Sequence, residues 1–374
     1  MIHRHALLWI VVVLLTLSAC RRPEPLGEEA AALADGWNRL APGGETTCSD
    51  GSEYAFFVRR GDPEKLLIHF EGGGACWTGE TCDLQARPTY DPTVDEKDNP
   101  AHRNGIFDLE HPDNPFATYS MVFVPYCTAD VHIGDRVTTY EVAATDSTEA
   151  HTVTIRHKGA VNARAVLDWT FENFRAPQTI FVTGSSAGAI PSPYYASIVA
   201  DRYPEARTAQ LGDAAGGYRR NDSARQIDDR WGVVEVVSQT PGFTHITPDN
   251  FSYEALYVAA ARRHPEIRFA RYDAADDEVQ RFFLSLTGET DAPLVALIRA
   301  NQADIDREVD NVRAYLAPGT VHTILSRPEF YTYEVNGRRF RDWVADLAAG
   351  EAVADALCDA CDAPAEPAPE QATE

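Results

Sequence analysis

The sequence predicts an α/β fold: a mostly parallel central sheet with helices on both faces, interrupted by helical insertions. Three observations predict it. Short runs rich in β-branched and aromatic residues recur along the chain, stretches with helical spacing of apolar residues lie between them, and no internal repeat is visible. Residues 53–59, 65–70, 121–127, 179–183, 207–211 and 267–272 read as strands. Several are apolar almost throughout, as strands buried on both faces of a parallel sheet must be. Between the third and fourth, 155–174 places Val161, Ala165, Val166, Trp169 and Phe174 close to helical spacing, which suits a crossover helix. Residues 219–262 and 285–316 are expected as helical insertions. Near the end, 331–335 and 338–343 flank Asn336-Gly337, a strong hairpin-turn signal.

Composition bounds what this fold is for. Of 374 residues, 44% are hydrophobic and 24% charged, as in an ordinary globular protein. Lys and Arg number 33 against 57 Asp and Glu, a formal charge of −24. That balance argues against a nucleic-acid partner, which needs clustered basic residues to replace phosphate counterions. The amino terminus reads as an address. His3, Arg4 and His5 precede an apolar run from Ala6 to Ala19, too short to span a bilayer and built like a secretory signal. Leu17-Ser18-Ala19-Cys20 resembles a bacterial lipobox, so 1–19 are expected as a lipoprotein signal peptide and Cys20 as the lipidated residue. The chain is then expected to be exported and either held at a membrane by this anchor, with Arg21 favouring the outer membrane, or extracellular. Residues 20–35 read as a flexible tether, 36–350 as one α/β domain, and 351–374 as a C-terminal helix with an acidic disordered tail. Cys48, Cys76, Cys82, Cys127, Cys358 and Cys361 form an even set that suits disulfides, with the pairing open.

The most informative stretch is an apolar strand that runs into Gly184-Ser185-Ser186-Ala187-Gly188 and then a helical segment. In that setting Gly-x-Ser-x-Gly becomes a nucleophile elbow, in which a sharp turn lifts one hydroxyl out at the carboxyl end of the sheet. By position that residue is Ser186. The free amides of the following helix favour a developing anion there. A serine hydroxyl needs a base to become a nucleophile. With the group order Ser, acid, His, only His245, His264 and His322 follow Ser186, and the first two leave too little chain for a further strand and acid. His322 is the candidate base. The acid falls within Asp273 to Gln280; Asp276 and Asp277 suit a helix cap equally well, and spacing does not decide among Asp273, Asp276 and Asp277. Residues 65–70 run into Glu71-Gly72-Gly73-Gly74, where glycines permit close backbone approach. The N–H groups of Gly73, Gly74 and Ala187 are the expected oxyanion-hole donors, with Glu71 bracing the loop.

Four motifs in order, Glu71-Gly-Gly-Gly-Ala-Cys76-Trp77, Pro125-Tyr-Cys127-Thr-Ala-Asp130-Val-His132-Ile-Gly134, Gly184-Ser-Ser-Ala-Gly188 and Val321-His322-Thr-Ile-Leu325, resemble the pectin acetylesterase/Notum family over roughly residues 48–350. The resemblance implies an α/β-hydrolase-like fold and a metal-independent, cofactor-free serine carboxylesterase. It implies Ser186 as nucleophile, His322 as base and Gly73, Gly74 and Ala187 as the oxyanion hole. It also selects Asp277, because Asp277-Glu-Val-Gln280 matches the family acid's place three residues before a glutamine. Trp77, Asp130 and His132 are expected to shape the substrate-binding cleft. The aromatic residue that usually follows the family's glycines is absent at Ala75, with Trp77 arriving later. An O-acetylated polysaccharide or a related ester outside the cytoplasm is the expected substrate, and a monomer the expected state. A Notum-like lipid-acyl carboxylesterase and a non-catalytic binding lipoprotein are the alternatives.

Overall fold

A computed structural model describes residues 25–145, 148–290, 293–359 and 361. The expected signal peptide, Cys20 as the expected lipidation site and the acidic tail beyond 361 lie outside the described residues. The strands are β1 (Trp37–Leu40), β2 (Phe56–Arg59), β3 (Asp62–Phe70), β4 (Tyr119–Val124), β5 (Arg136–Val142), β6 (His151–His157), β7 (Thr179–Ser185), β8 (Arg207–Asp213), β9 (Phe269–Ala274), β10 (Val312–Ala317), β11 (Glu334–Val335), β12 (Arg338–Arg339) and β13 (Ala356–Leu357). Nine of them form one sheet in the order β1-β2-β4-β3-β7-β8-β9-β10-β13. The β1–β2 and β2–β4 pairs are antiparallel, and from β4 onward every neighbouring pair is parallel. This is the α/β-hydrolase-like arrangement the sequence predicts.

The apolar runs explain the order. Leu66, Leu67, Ile68 and Phe70 of β3 and Ile180, Phe181 and Val182 of β7 are fully buried at the centre of the sheet. The helix Gly159–Asn173 precedes β7 and buries Ala163, Val166 and Leu167, while the helix Ser192–Arg202 leads from β7 to β8. A parallel pair needs such a crossover, because the chain must return to the same end of the sheet.

Several expectations give way to packing. The expected helix over 155–174 begins only at Gly159, since Val153, Ile155 and His157 alternate inward as β6, paired with β5. Tyr140, Val142, Val153 and Ile155 enclose a small second core around Cys76 and Cys82. The insertion expected to remain helical to 316 ends with the buried strand β10, although the helices Asp222–Trp231, Val233–Val237, Tyr253–Arg263 and Leu294–Asp306 do form. The 338–343 arm of the hairpin is a strand for two residues only. It then becomes the helix Phe340–Ala348, which buries Phe340, Trp343, Val344 and Leu347. The expected tether is already docked from Pro25: Gly27 N donates to Asn173 O at 2.8 Å, and Ala30 N to Asn173 Oδ1 at 3.0 Å. At the other end, 356–357 pair with β10 as β13 in place of the expected helix, so the domain runs past 350.

Disulfides join Cys48 to Cys127, Cys76 to Cys82 and Cys358 to Cys361. Among the described residues no helix is long and apolar enough to cross a membrane.

Candidate active site

The site is built at the carboxyl ends of β3, β7, β8 and β9 and on the loop after β10. At the end of β7 the chain turns so sharply that Ser186 takes φ +52°, a left-handed conformation few non-glycine residues adopt. The flanking glycines make that turn possible. A Cβ on Gly184 would lie 2.0 Å from Gly188 O, and one on Gly188 would lie 2.1 Å from Phe70 O and 2.6 Å from Glu71 O. The elbow and the glycine loop after β3 therefore touch backbone to backbone. From the other side, a Cβ on Gly72 would lie 2.7 Å from Ser185 O and 2.8 Å from the Ser186 Cβ.

The glycine loop is held from behind. Glu71 is buried, with Oε1 paired to Arg103 and Oε2 accepting from Tyr126 N at 3.2 Å. Its backbone oxygen accepts from His132 Nε2 at 2.8 Å. Asp130 accepts from Thr128 Oγ1 (2.7 Å), Gly159 N (2.7 Å) and His132 N (3.2 Å). Asp130 and His132, expected in the substrate cleft, thus sit behind the loop, 0% and 1% exposed. Burial explains the correction: Asp130 satisfies backbone donors rather than facing solvent. Burial also holds the His132 imidazole down at about 4, so it is neutral and can hold its bond to Glu71.

His322 lies on the loop after β10, and its Nδ1 donates to Asp277 Oδ2 at 2.6 Å. Asp277 is 0% exposed. It does two jobs at once. Its Oδ1 caps the helix Glu278–Leu286 by accepting from Val279 N (2.9 Å) and Gln280 N (3.1 Å). Its Oδ2 faces His322 and also receives Gln280 Nε2 at 3.1 Å. The helix cap and the partner of His322, which spacing left as alternatives, are one carboxylate. Asp273 instead accepts from Gly216 N at 2.7 Å and Gln280 Nε2 at 3.1 Å, and Asp276 pairs with Arg281 at the surface.

Among the described residues no hydrogen bond joins Ser186 Oγ to His322. The two segments meet instead at Asp213, the last residue of β8, which sequence reasoning missed. Asp213 Oδ2 accepts from Ser185 Oγ (3.0 Å) and Leu325 N (2.9 Å), and Oδ1 from Ile324 N (3.1 Å). One fully buried carboxyl, pushed up to about 7 by burial, thereby ties the elbow to the histidine loop. The only local signal for it is an acid at a strand end, which carries no partner information.

Ser186, Ala187 and Gly74 open onto a cavity of about 780 Å³, counted with its open mouth. Its walls are mostly apolar: Trp77 from the glycine loop, Ile190 behind the elbow, Trp231, Phe251 and Tyr253 from the first insertion, and Phe283 and Leu284 from the helix capped by Asp277. On the other side of Gly73 and Gly74 an open groove runs along residues 84–92.

The family model for pectinacetylesterases matches residues 41–240, more than half of the chain, and the chain belongs to that family. Curated relatives include palmitoleoyl-protein carboxylesterase notum1 of Xenopus laevis, 27% identical over 191 residues that make up 49% of this chain and 37% of the relative. Palmitoleoyl-protein carboxylesterase NOTUM of Homo sapiens is 34% identical over 93 residues, 24% of this chain and 18% of the relative. An inactive palmitoleoyl-protein carboxylesterase, notum1b of Danio rerio, is 30% identical over 99 residues, 24% of this chain and 66% of the relative. The matches thus span well under half the length of the Xenopus and human relatives.

Proposed function

We propose that this member of the pectinacetylesterase family is an extracytoplasmic serine carboxylesterase with Ser186 as nucleophile, His322 as base and Asp277 as orienting acid. The observation that carries the reading is the 2.6 Å bond from His322 Nδ1 to a carboxylate sealed from solvent. It leaves Nε2 as the ring's free acceptor and stabilises the imidazolium that forms when the ring takes a proton. His322 takes the Ser186 proton as Oγ attacks the acyl carbon, and the N–H groups of Gly73, Gly74 and Ala187 hold the oxyanion. His322 then protonates the leaving alcohol, and water repeats the sequence to release the acid. The disulfides support an oxidising compartment. Membrane attachment through Cys20 belongs to the same reading and is checked by acyl labelling of the wild type and Cys20→Ala.

On the acyl side, the apolar walls favour a chain longer than acetyl, while the open groove along 84–92 suits the alcohol half of the ester. This supports the lipid-acyl alternative over an O-acetylated polysaccharide. Chromogenic esters from acetate to decanoate decide between them: rising kcat/KM with chain length supports the cavity as acyl site, and a maximum at acetate supports the acetylesterase. The nucleophile is tested by Ser186→Ala, which is expected to lower turnover about 10⁶-fold. A serine-directed phosphonate is expected to add to Ser186 in the wild type. Unchanged turnover in Ser186→Ala would overturn Ser186 as the nucleophile, and a wild type with neither adduct nor hydrolysis would leave the non-catalytic binding lipoprotein.

A further inference from the structure

One wall of the cavity does not fit an apolar acyl chain. The helix Asp222–Trp231 turns Ala224, Ile227, Asp228 and Trp231 toward the cavity, positions three and four residues apart on one face. Three of these are apolar, and the fourth is a carboxylic acid that is only 7% exposed. No protein donor or acceptor among the described residues reaches Asp228 Oδ1. The two arginines that line the same cavity are engaged elsewhere. Arg219 donates to Asn301 Oδ1 at 2.8 Å and Asp304 Oδ2 at 2.7 Å, and Arg220 to Pro248 O at 2.7 Å. A buried polar group without a partner costs stability, on the order of a few kcal/mol, and in a native protein it calls for an explanation. Burial, reinforced by Asp229 and opposed by Arg220, pushes this carboxyl well up, toward its protonated form. Burial, and after it the nearness of Asp228, raises the Tyr253 hydroxyl, which lines the same cavity.

We propose that Asp228 is a specificity-determining residue that hydrogen-bonds an alcohol group carried on the acyl chain, so that the preferred substrates are esters of hydroxylated acids. The inference rests on the esterase reading and deepens it. A neutral carboxylic acid offers one O–H donor and one carbonyl acceptor, and a hydroxyl can use both. A plain alkyl chain in the same place leaves the acid unpaired, and sites built to bond a hydroxyl discriminate against the analogue lacking it for that reason.

The test uses the purified protein with chromogenic straight-chain esters from butanoate to decanoate, beside their terminal-hydroxyl and terminal-ammonium counterparts. The readout is the ratio of kcat/KM for the hydroxylated over the plain ester at each length. The wild type is expected to favour the hydroxylated ester about tenfold at the length that reaches Asp228, the worth of one good hydrogen bond. Asp228→Leu keeps the outline of the side chain and is expected to abolish that ratio, while Asp228→Asn, which still donates and accepts, retains part of it. Asp228→Leu is also expected to melt higher than the wild type, because an unpaired buried carboxyl is gone. Equal ratios in wild type and both variants would overturn the proposal, as would a lower melting temperature of Asp228→Leu, which would mean that the acid is held within the fold. A preference for the ammonium series would overturn it in favour of a carboxylate that pairs with a cation. A wild type that hydrolyses no ester at all, acetate included, would remove the esterase reading and this inference with it.

Discussion

On the sheet side of the site, Asp213 accepts from Ser185, Ile324 and Leu325, Asp277 from Val279, Gln280 and His322, and Asp130 from Thr128, His132 and Gly159. On the inserted-helix side, Asp228 Oδ1 has no partner among the described residues. All four carboxyls are buried. The first three fix backbone segments from distant parts of the chain, as a preorganised reaction centre requires. The fourth holds no backbone segment, and in the proposed reading its bonding capacity is left for the substrate. On that reading, rigidity sits where atoms react, and open valency sits where a substrate is chosen.

Each half of that comparison can be broken. After Ser186→Ala, the largest effect is expected from Asp277→Asn, which leaves an amide against His322 Nδ1 and selects the wrong tautomer; kcat should fall about 10⁴-fold with the fold intact by circular dichroism. Gly188→Ala tests the backbone contact between elbow and glycine loop. Its Cβ would meet the oxygens of Phe70 and Glu71, so about 3 kcal/mol of stability should be lost in denaturant titrations. Asp213→Asn replaces an acceptor of three bonds with a group that presents a donor to one of them. Acting as a positioning residue, it should lower kcat about 10²-fold while KM stays near the wild-type value, a split that general destabilisation would not produce. If Asp213→Asn changed nothing, the saturated half of the comparison would lose its meaning.

The smallest effect is in pH. Burial raises Asp130 and Asp213 to about 7, so their contribution to stability is full below the unfolded carboxylate range and is lost as pH rises through 7. Burial lowers His132 and His157 to about 4, so their contribution is full above the unfolded histidine value and is lost as pH falls toward 4. His69, stacked on Phe123 with neither ring nitrogen bonded, is shifted the same way. The two sets oppose one another between pH 4 and 6.5. Above that window only the carboxyls titrate. Stability should therefore decline from about pH 6.5 to 8 by about 1 kcal/mol per carboxyl, and Asp130→Asn should flatten the slope.

What the sequence made legible follows the same division. The elbow and the glycine loop are local patterns that declare themselves through their own neighbours, and His322 followed from the order of the groups along the chain. Asp277 was favoured only through the family resemblance, by its place three residues before Gln280, and its role as a helix cap explains why spacing alone stalled there. Asp213 and Asp228 were invisible for one reason: what matters about each is the partner, or its lack, on a segment far away in the chain. The same holds for β13, two residues whose strand character comes entirely from lying beside β10. Residues 312–317 mix Val and Tyr with Ala and Leu, so their pattern suits helix or strand until the flanking strands decide. The β5–β6 hairpin was legible in principle, since Thr, Val and Tyr alternate along it, but its second strand runs straight into a helix and blurred the boundary.

Trp231, at the end of the helix that carries Asp228, donates its indole N–H to Cys76 O at 2.9 Å, just beyond the three glycines and beside the Cys76–Cys82 bridge. The wall proposed to measure the guest and the strap proposed to cradle the nascent negative charge are therefore joined directly. A poorly fitting guest would misalign the cradle as well as bind loosely, so discrimination should register in turnover as much as in affinity.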